Sequence, residues 1–281
     1  MRSPDFLKPS SDGSVIWIAS YPKSGNTWVR FLVCNLVFGP QESAAALNHL
    51  APDIHELGDS FELPREPLFM KTHFPYNKDL PLGACSVAAI YVVREPGDVM
   101  LSNFHYAKRS GALPADVDLS NYIDRFLTER GDGRWVERGI GRWDDHVRSW
   151  LAVRHPFPLL MLRYEDLVGD ASNGARQICE FLGLNRSPAQ IEQAVAGASF
   201  TRMREIEEAD IRARQLGIFY KHYLQPPIDA GLRFMRTGRT GEAAEVLPAA
   251  QRRALRAVFG GVMLELGYID AGEKRRQVAR S

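Results

Sequence analysis

Four short runs of the chain are apolar at consecutive positions, without strict alternation: residues 15–19, 68–70, 87–93 and 159–162. A strand that is apolar on both faces must be buried on both faces, as parallel strands sandwiched between helices are. Between these runs the period changes to that of a helix. Trp28, Phe31, Leu32 and Leu36 form one apolar stripe in TWVRFLVCNLVF, and helical patterns follow over residues 98–107, 143–153 and 174–182. The alternation predicts an α/β fold: one domain, residues 1–281, with a central, mostly parallel sheet flanked by helices. Further helices are expected over residues 190–196 and 249–266. Residues 219–241, rich in Gly, Pro and aromatics, and residues 131–141, with four glycines, read as loops that close when ligands bind. Residues 1–13 and 272–281 are expected to be flexible tails.

Composition removes several classes. Lys plus Arg total 35 against 34 Asp plus Glu, so bulk attraction to nucleic acid or an anionic membrane is not expected. No apolar run approaches the roughly 18 residues of a membrane span. The opening MRSPDFLKPSSDG lacks an apolar signal core, and Cys34, Cys85 and Cys179 form no C-x-x-C pair. Together they point to a cytoplasmic protein without a disulfide framework or thiolate zinc site.

The chemistry collects where ligands bind in open α/β sheets, beyond the carboxyl ends of the strands. The first run leads into Ser20-Tyr21-Pro22-Lys23-Ser24-Gly25-Asn26-Thr27-Trp28, the second into Lys71-Thr72-His73, the third into Arg94, and the fourth into Arg163-Tyr164-Glu165-Asp166. Cations at strand ends and a glycine turn opening into a helix suit an anionic ligand, with a nucleotide the economical choice. The turn is not a Walker A loop, because Lys23 precedes the glycine and no Gly-Lys-Ser/Thr is present. His73 has an ordinary pKa near 6.5, suited to accepting a proton from an alcohol or phenol. Asp144, Asp145 and His146 are consecutive on a helix, so their side chains diverge and no metal site is expected. His105 reads as a packing or acceptor-side residue, and Phe74, Tyr76, Phe104 and Tyr106 as candidate pocket aromatics.

These motifs resemble the cytosolic-type sulfotransferases, which use 3′-phosphoadenosine 5′-phosphosulfate (PAPS), with a bacterial natural-product-type member as the best description. YPKSGNTW is similar to the family's 5′-phosphosulfate loop, KTH to the segment bearing its catalytic histidine, and VVREPGDVMLSNFHY to its 3′-phosphate segment. RYEDL, ASFTRM and FMRTGRTGE are similar to its adenine-side and second 3′-phosphate segments, in the family's order. The resemblance implies His73 as general base, with Lys23 and Lys71 stabilising charge during transfer. It implies that Lys23, Ser24, Gly25, Asn26 and Thr27 hold the 5′-phosphosulfate and that Trp28 stacks on adenine. Arg94, Ser102, Arg236, Thr237 and Gly238 then surround the 3′-phosphate, and Tyr164, Ser199, Phe200 and Met203 border the adenine. Two departures stand out. Thr237 replaces a common lysine, and Gly241-Glu242-Ala243-Ala244 replaces a Gly-Asp-Trp-Lys tied to dimer contacts in animal members. The implied product is 3′,5′-ADP and the implied acceptor a small-molecule hydroxyl or phenol, with no nucleic acid, membrane or metal. A glycan or peptide acceptor, a phosphotransferase and an inactive nucleotide-binding module stay open as alternatives.

Overall fold

Each of the four apolar runs is a strand in the computed structural model, which describes residues 8, 10–58, 60–114, 116–151, 154–224 (residue 222 by its backbone alone), 228–229 and 231–270. They are β1 (Val15–Ser20), β2 (Leu68–Thr72), β3 (Ser86–Val93) and β4 (Leu159–Arg163), all parallel, in the order β2-β1-β3-β4. The absence of alternation has the expected cause. Val15, Trp17 and Ala19 of β1 enter one core, while Ile16 and Ile18 enter another on the opposite face. β3 divides in the same way, with Ala89, Tyr91 and Val93 on the first side and Ala88, Ile90 and Val92 on the second.

The second core is covered by α1 (Asn26–Phe38), α8 (Ala171–Phe181) and α9 (Pro188–Gly197); the first by α3 (Pro96–Arg109), α6 (Trp143–Leu151) and α12 (Ala249–Glu265). Trp143, Trp150 and Phe259 fill that first side. Further helices not resolved from the periodicity complete the layers: α2 (Ala44–Leu50), α4 (Leu119–Glu129), α5 (Gly133–Glu137), α7 (Tyr164–Gly169), α10 (Phe200–Arg212) and α11 (Glu242–Val246). From β1 the chain moves to one side, towards β2, and from β3 to the other, towards β4. The switch point therefore lies between the carboxyl ends of β1 and β3, which is where a ligand crevice forms in this architecture. Among the described residues, no helix is long and apolar enough to cross a membrane.

The glycines of residues 131–141 do not make a loose loop. The segment contains α5, capped by the buried Asp132, whose carboxylate accepts from the Tyr122 hydroxyl (2.6 Å). The Trp135 indole N–H donates to Asn103 Oδ1 (2.8 Å), and a Cβ on Gly131 would stand 2.7 Å from the Tyr21 hydroxyl. Of residues 219–241, the described ones are irregular as expected apart from short helical turns at His222–Leu224 and residues 228–229, but they are anchored. Glu207 of α10, fully buried, accepts from the Phe234 and Met235 N–H groups (2.6 and 2.9 Å), and Arg109 donates to the Phe219 carbonyl (2.7 Å). Of the two expected tails, residues 1–7, 9 and 272–281 lie outside the described residues; the Ser10 N–H donates to the Arg65 carbonyl (2.9 Å).

Candidate active site

One cavity of about 670 Å³ opens over the switch point and takes its walls from every motif named above. At its β1 end the chain turns through Lys23, whose φ of 72° is rare for a residue with a side chain, and Gly25, at φ 99°. Gly25 is not replaceable for a second reason: a Cβ there would stand 2.5 Å from the Tyr164 ring. As N-cap of α1 it offers no side chain to the first-turn N–H groups, which leaves them for a ligand. On the far wall Gly238, φ 64°, meets the Phe200 ring in the same way, since a Cβ at that position would also come within 2.5 Å of it.

The donors around this turn are incompletely used. Ser24 Oγ and Arg94 Nε are buried without a hydrogen-bond partner. Buried polar atoms in that state need an explanation, and anionic groups of a ligand bound at the turn would supply one. Arg94 spans the crevice, donating to the Arg239 carbonyl (2.8 Å) and the Lys23 carbonyl (3.4 Å) while its guanidinium lies 4.4 Å from the Tyr164 ring centre. Trp28 meets the same ring edge-on at 5.5 Å. Thr27, Ser102, Met203 and Thr237 line the cavity beside them.

Lys23 is the most constrained cation. Its Nζ lies 4.1 Å from the Phe234 ring centre and 4.4 Å from that of Tyr106. Burial, followed by repulsion from Arg109 and Arg94, lowers its pKa to about 7. Arg236 is held by a bidentate contact with Glu242, one arm at 2.7 Å, and Glu242 is correspondingly kept below the usual carboxylate range.

At the other end stands His73, just beyond β2 and half-buried. Its Nδ1 is 2.7 Å from the Ser20 carbonyl oxygen, which can only accept, so Nδ1 carries the proton and Nε2 keeps its lone pair. Two further histidines fix its backbone. The His73 N–H donates to His55 Nε2 (2.9 Å), and His146 Nε2–H donates to the His73 carbonyl (3.1 Å) while its Nδ1 accepts from the Tyr91 hydroxyl (3.0 Å). Burial lowers all three: His73 well below 6.5, His55 to about 4 and His146 to about 3. All three rings are therefore neutral at pH 7.

Several expected residues are placed differently. Asn26 lines the cavity, and its amide donates to the Ile18 carbonyl (2.9 Å) and Ser20 Oγ (3.2 Å), tying the turn to β1. Ser199 Oγ caps α10 by accepting from the Arg202 N–H (3.2 Å) and is not part of the wall. Lys71 does line the cavity, but its Nζ is paired at 2.6 Å with Asp53, whose carboxyl the lysine pulls down against the upward push of burial. Of the four candidate aromatics only Tyr106 lines the cavity; Tyr76 packs against Trp150, His155 and Phe157, and His105 is exposed outside it. The sequence motifs do not include Asp53, His55, Glu56, Trp135, Arg138 and Lys221, all of which face the cavity. None sits in a recognisable spacing. Asp144 is consumed by Arg130 and Arg148 and His146 by Tyr91, and no group of three metal-ligating side chains occurs among the described residues.

A family model described as the sulfotransferase domain matches residues 14–267. Curated relatives include mouse sulfotransferase 2A2, 28% identical over 251 residues, covering 86% of this chain and 81% of the relative. A guinea-pig 3-alpha-hydroxysteroid sulfotransferase is 28% identical over 220 residues, covering 73% of each. Among solved structures, mouse sulfotransferase SULT7A1 complexed with PAP aligns with TM-score 0.65 and 19% identity, over 97% of this chain and 90% of that one. Retinol dehydratase with androsterone and PAP aligns at TM-score 0.62 and 18% identity, over 92% and 82%. At these identities the structures speak to the fold.

Proposed function

The chain belongs to the sulfotransferase family, and from that premise we propose that it transfers a sulfuryl group from PAPS to a hydroxyl of a small molecule, releasing 3′,5′-ADP. The observation that carries this reading is the two-ended cavity. Unpartnered phosphate-type donors lie at the switch point, and a neutral histidine with a free Nε2 lone pair stands at the other end.

In the proposed reaction the acceptor oxygen bonds to sulfur as the bond from sulfur to the 5′-phosphate oxygen breaks. The acceptor proton passes to His73 Nε2, which is neutral and able to take it. The leaving phosphate keeps the bridging oxygen, and Lys23 compensates its growing charge. Arg94, Ser102 and Arg236 are assigned to the 3′-phosphate, and Trp28, Tyr164, Phe200 and Met203 to the adenine. Ser24, Gly25 and Thr27 are assigned to the 5′-phosphate, with Lys71 a charge held in reserve by Asp53. A cytoplasmic setting suits the three free thiols, two of them buried.

The test is an acceptor screen with PAPS that reads 3′,5′-ADP release, together with calorimetry in EDTA. Metal-free binding of 3′,5′-ADP tighter than ATP, plus acceptor-dependent release, is expected. Tighter magnesium–ATP binding would move the assignment to phosphoryl transfer, and nucleotide binding without any turnover to an inactive module.

A further inference from the structure

The cavity mixes charged with apolar residues, the latter including Ile140, Ile218, Tyr223 and Leu224. Asp53, Glu56, Arg30, Arg138, Lys221 and His55 all line it. They form one cluster: Asp53 pairs with Lys71 at 2.6 Å, Glu56 pairs with Lys221, and His55 feels Asp53, Glu56 and Arg138 electrostatically. Arg30 is buried beneath them with only Asn48 Oδ1 (3.2 Å) and the Ala51 carbonyl (2.6 Å) as partners, and its Nε has none. An apolar ring system placed here would strip water from these groups and return no hydrogen bonds.

The wall offers carboxylate acceptors and cationic donors side by side. An ammonium group can only donate and a carboxylate can only accept, so either leaves half of such a wall unmatched. A hydroxyl does both. Trp135, buried and lining the same space, has its indole N–H bonded to Asn103 and its ring flanked by the guanidiniums of Arg134 and Arg138 at 5.2 and 5.4 Å.

From this wall we infer that the acceptor is a compact polyhydroxylated molecule, of the sugar or cyclitol class, and not a steroid or retinoid. The inference rests on the sulfuryl-transfer reading of the same cavity. His73 deprotonates one hydroxyl, while neighbouring hydroxyls engage Glu56, Asp53 and Arg138. Fixing the neighbours fixes which hydroxyl reacts.

The experiment compares matched panels of cyclic polyols and monosaccharides against 3-hydroxysteroids and retinol. It reads 3′,5′-ADP release with PAPS, and acceptor binding to the 3′,5′-ADP complex by calorimetry. The expected result is kcat/KM at least tenfold higher for a member of the polyol panel. Glu56→Gln should raise KM for that polyol about tenfold with kcat within twofold and 3′,5′-ADP affinity unchanged. Glu245→Gln, an exposed carboxylate paired with Arg239, is the control and leaves all three unchanged. Preference for the steroid or retinol panel, binding of neither panel, or an unmoved KM in Glu56→Gln overturns the inference. If the chain fails to bind 3′,5′-ADP at all, the sulfuryl-transfer reading itself has failed.

Discussion

The two ends of the cavity are built on different principles. The end at the switch point is made of backbone: a turn through Lys23 and Gly25, the start of α1, and glycines held against Tyr164 and Phe200. Its side chains radiate from loops that a parallel sheet fixes in place. The end beyond His73 is made of side chains from segments far apart in the chain, at residues 53–56, 71 and 221, joined by ion pairs, with Arg138 beside them. A backbone-built site tolerates little change in its ligand. A side-chain-built site can be re-cut one residue at a time, so the two ends are free to differ in how fixed their ligands are. His73 sits at the border, its ring bonded to the Ser20 carbonyl of β1 and its backbone to His55 of the other end.

Substitutions at the border and at each end break or sharpen that contrast. His73→Ala should reduce turnover by about 10²–10⁴-fold, the usual worth of a general base, while 3′,5′-ADP affinity measured by calorimetry stays near wild type. A parallel loss of affinity would mean that the ends are one unit. Arg94→Ala should weaken 3′,5′-ADP by about 1.5–3 kcal/mol, the range for a charge-assisted hydrogen bond. The KM of the acceptor should not follow it.

The protonation of Lys23 gives a third test. Its pKa is about 7 in the free protein, and a bound 5′-phosphate raises it, so binding takes up a proton. Affinity for 3′,5′-ADP is therefore highest below pH 7 and falls as pH rises above it, by up to about tenfold per unit. Lys23→Arg should flatten the profile. The acceptor end should be insensitive over the same range, because His73 and His55 both titrate lower. The smallest effect is expected for Glu242→Gln. Releasing Arg236 from its bidentate partner frees it for a phosphate, and 3′,5′-ADP should bind several-fold tighter, about 1 kcal/mol for a partly exposed pair. Weaker binding would show that Glu242 aims Arg236 instead of competing for it.

The same contrast explains what can be read in the sequence. The four strands are legible because burial on both faces leaves an unbroken apolar run, and the nucleotide-side motifs because a tight turn restricts which residues can occupy it. Asp53, Glu56 and Lys221 leave no such trace. Their meaning comes from who they meet across the fold, and charged residues in loops are ordinarily solvated. Residues 131–141 mislead for a related reason: glycine there serves close packing on Tyr21 and turns at Gly139 and Gly141, φ 76° and 86°, which composition alone does not distinguish from looseness. Ser199 falls in a ligand-type motif and spends its hydroxyl on a helix cap, while Asn26 spends its amide on β1 and still lines the cavity.

The backbone at Lys23 carries a consequence for anyone who evolves this protein in the laboratory. A left-handed conformation at a residue with a Cβ costs on the order of 1 kcal/mol, and glycine at that position removes the cost. A screen that rewards heat resistance of the free protein will therefore enrich Lys23→Gly, and every clone so enriched will have discarded the cation proposed to compensate the leaving phosphate. Selection for robustness and selection for turnover pull in opposite directions at this one residue, so the two must be applied together.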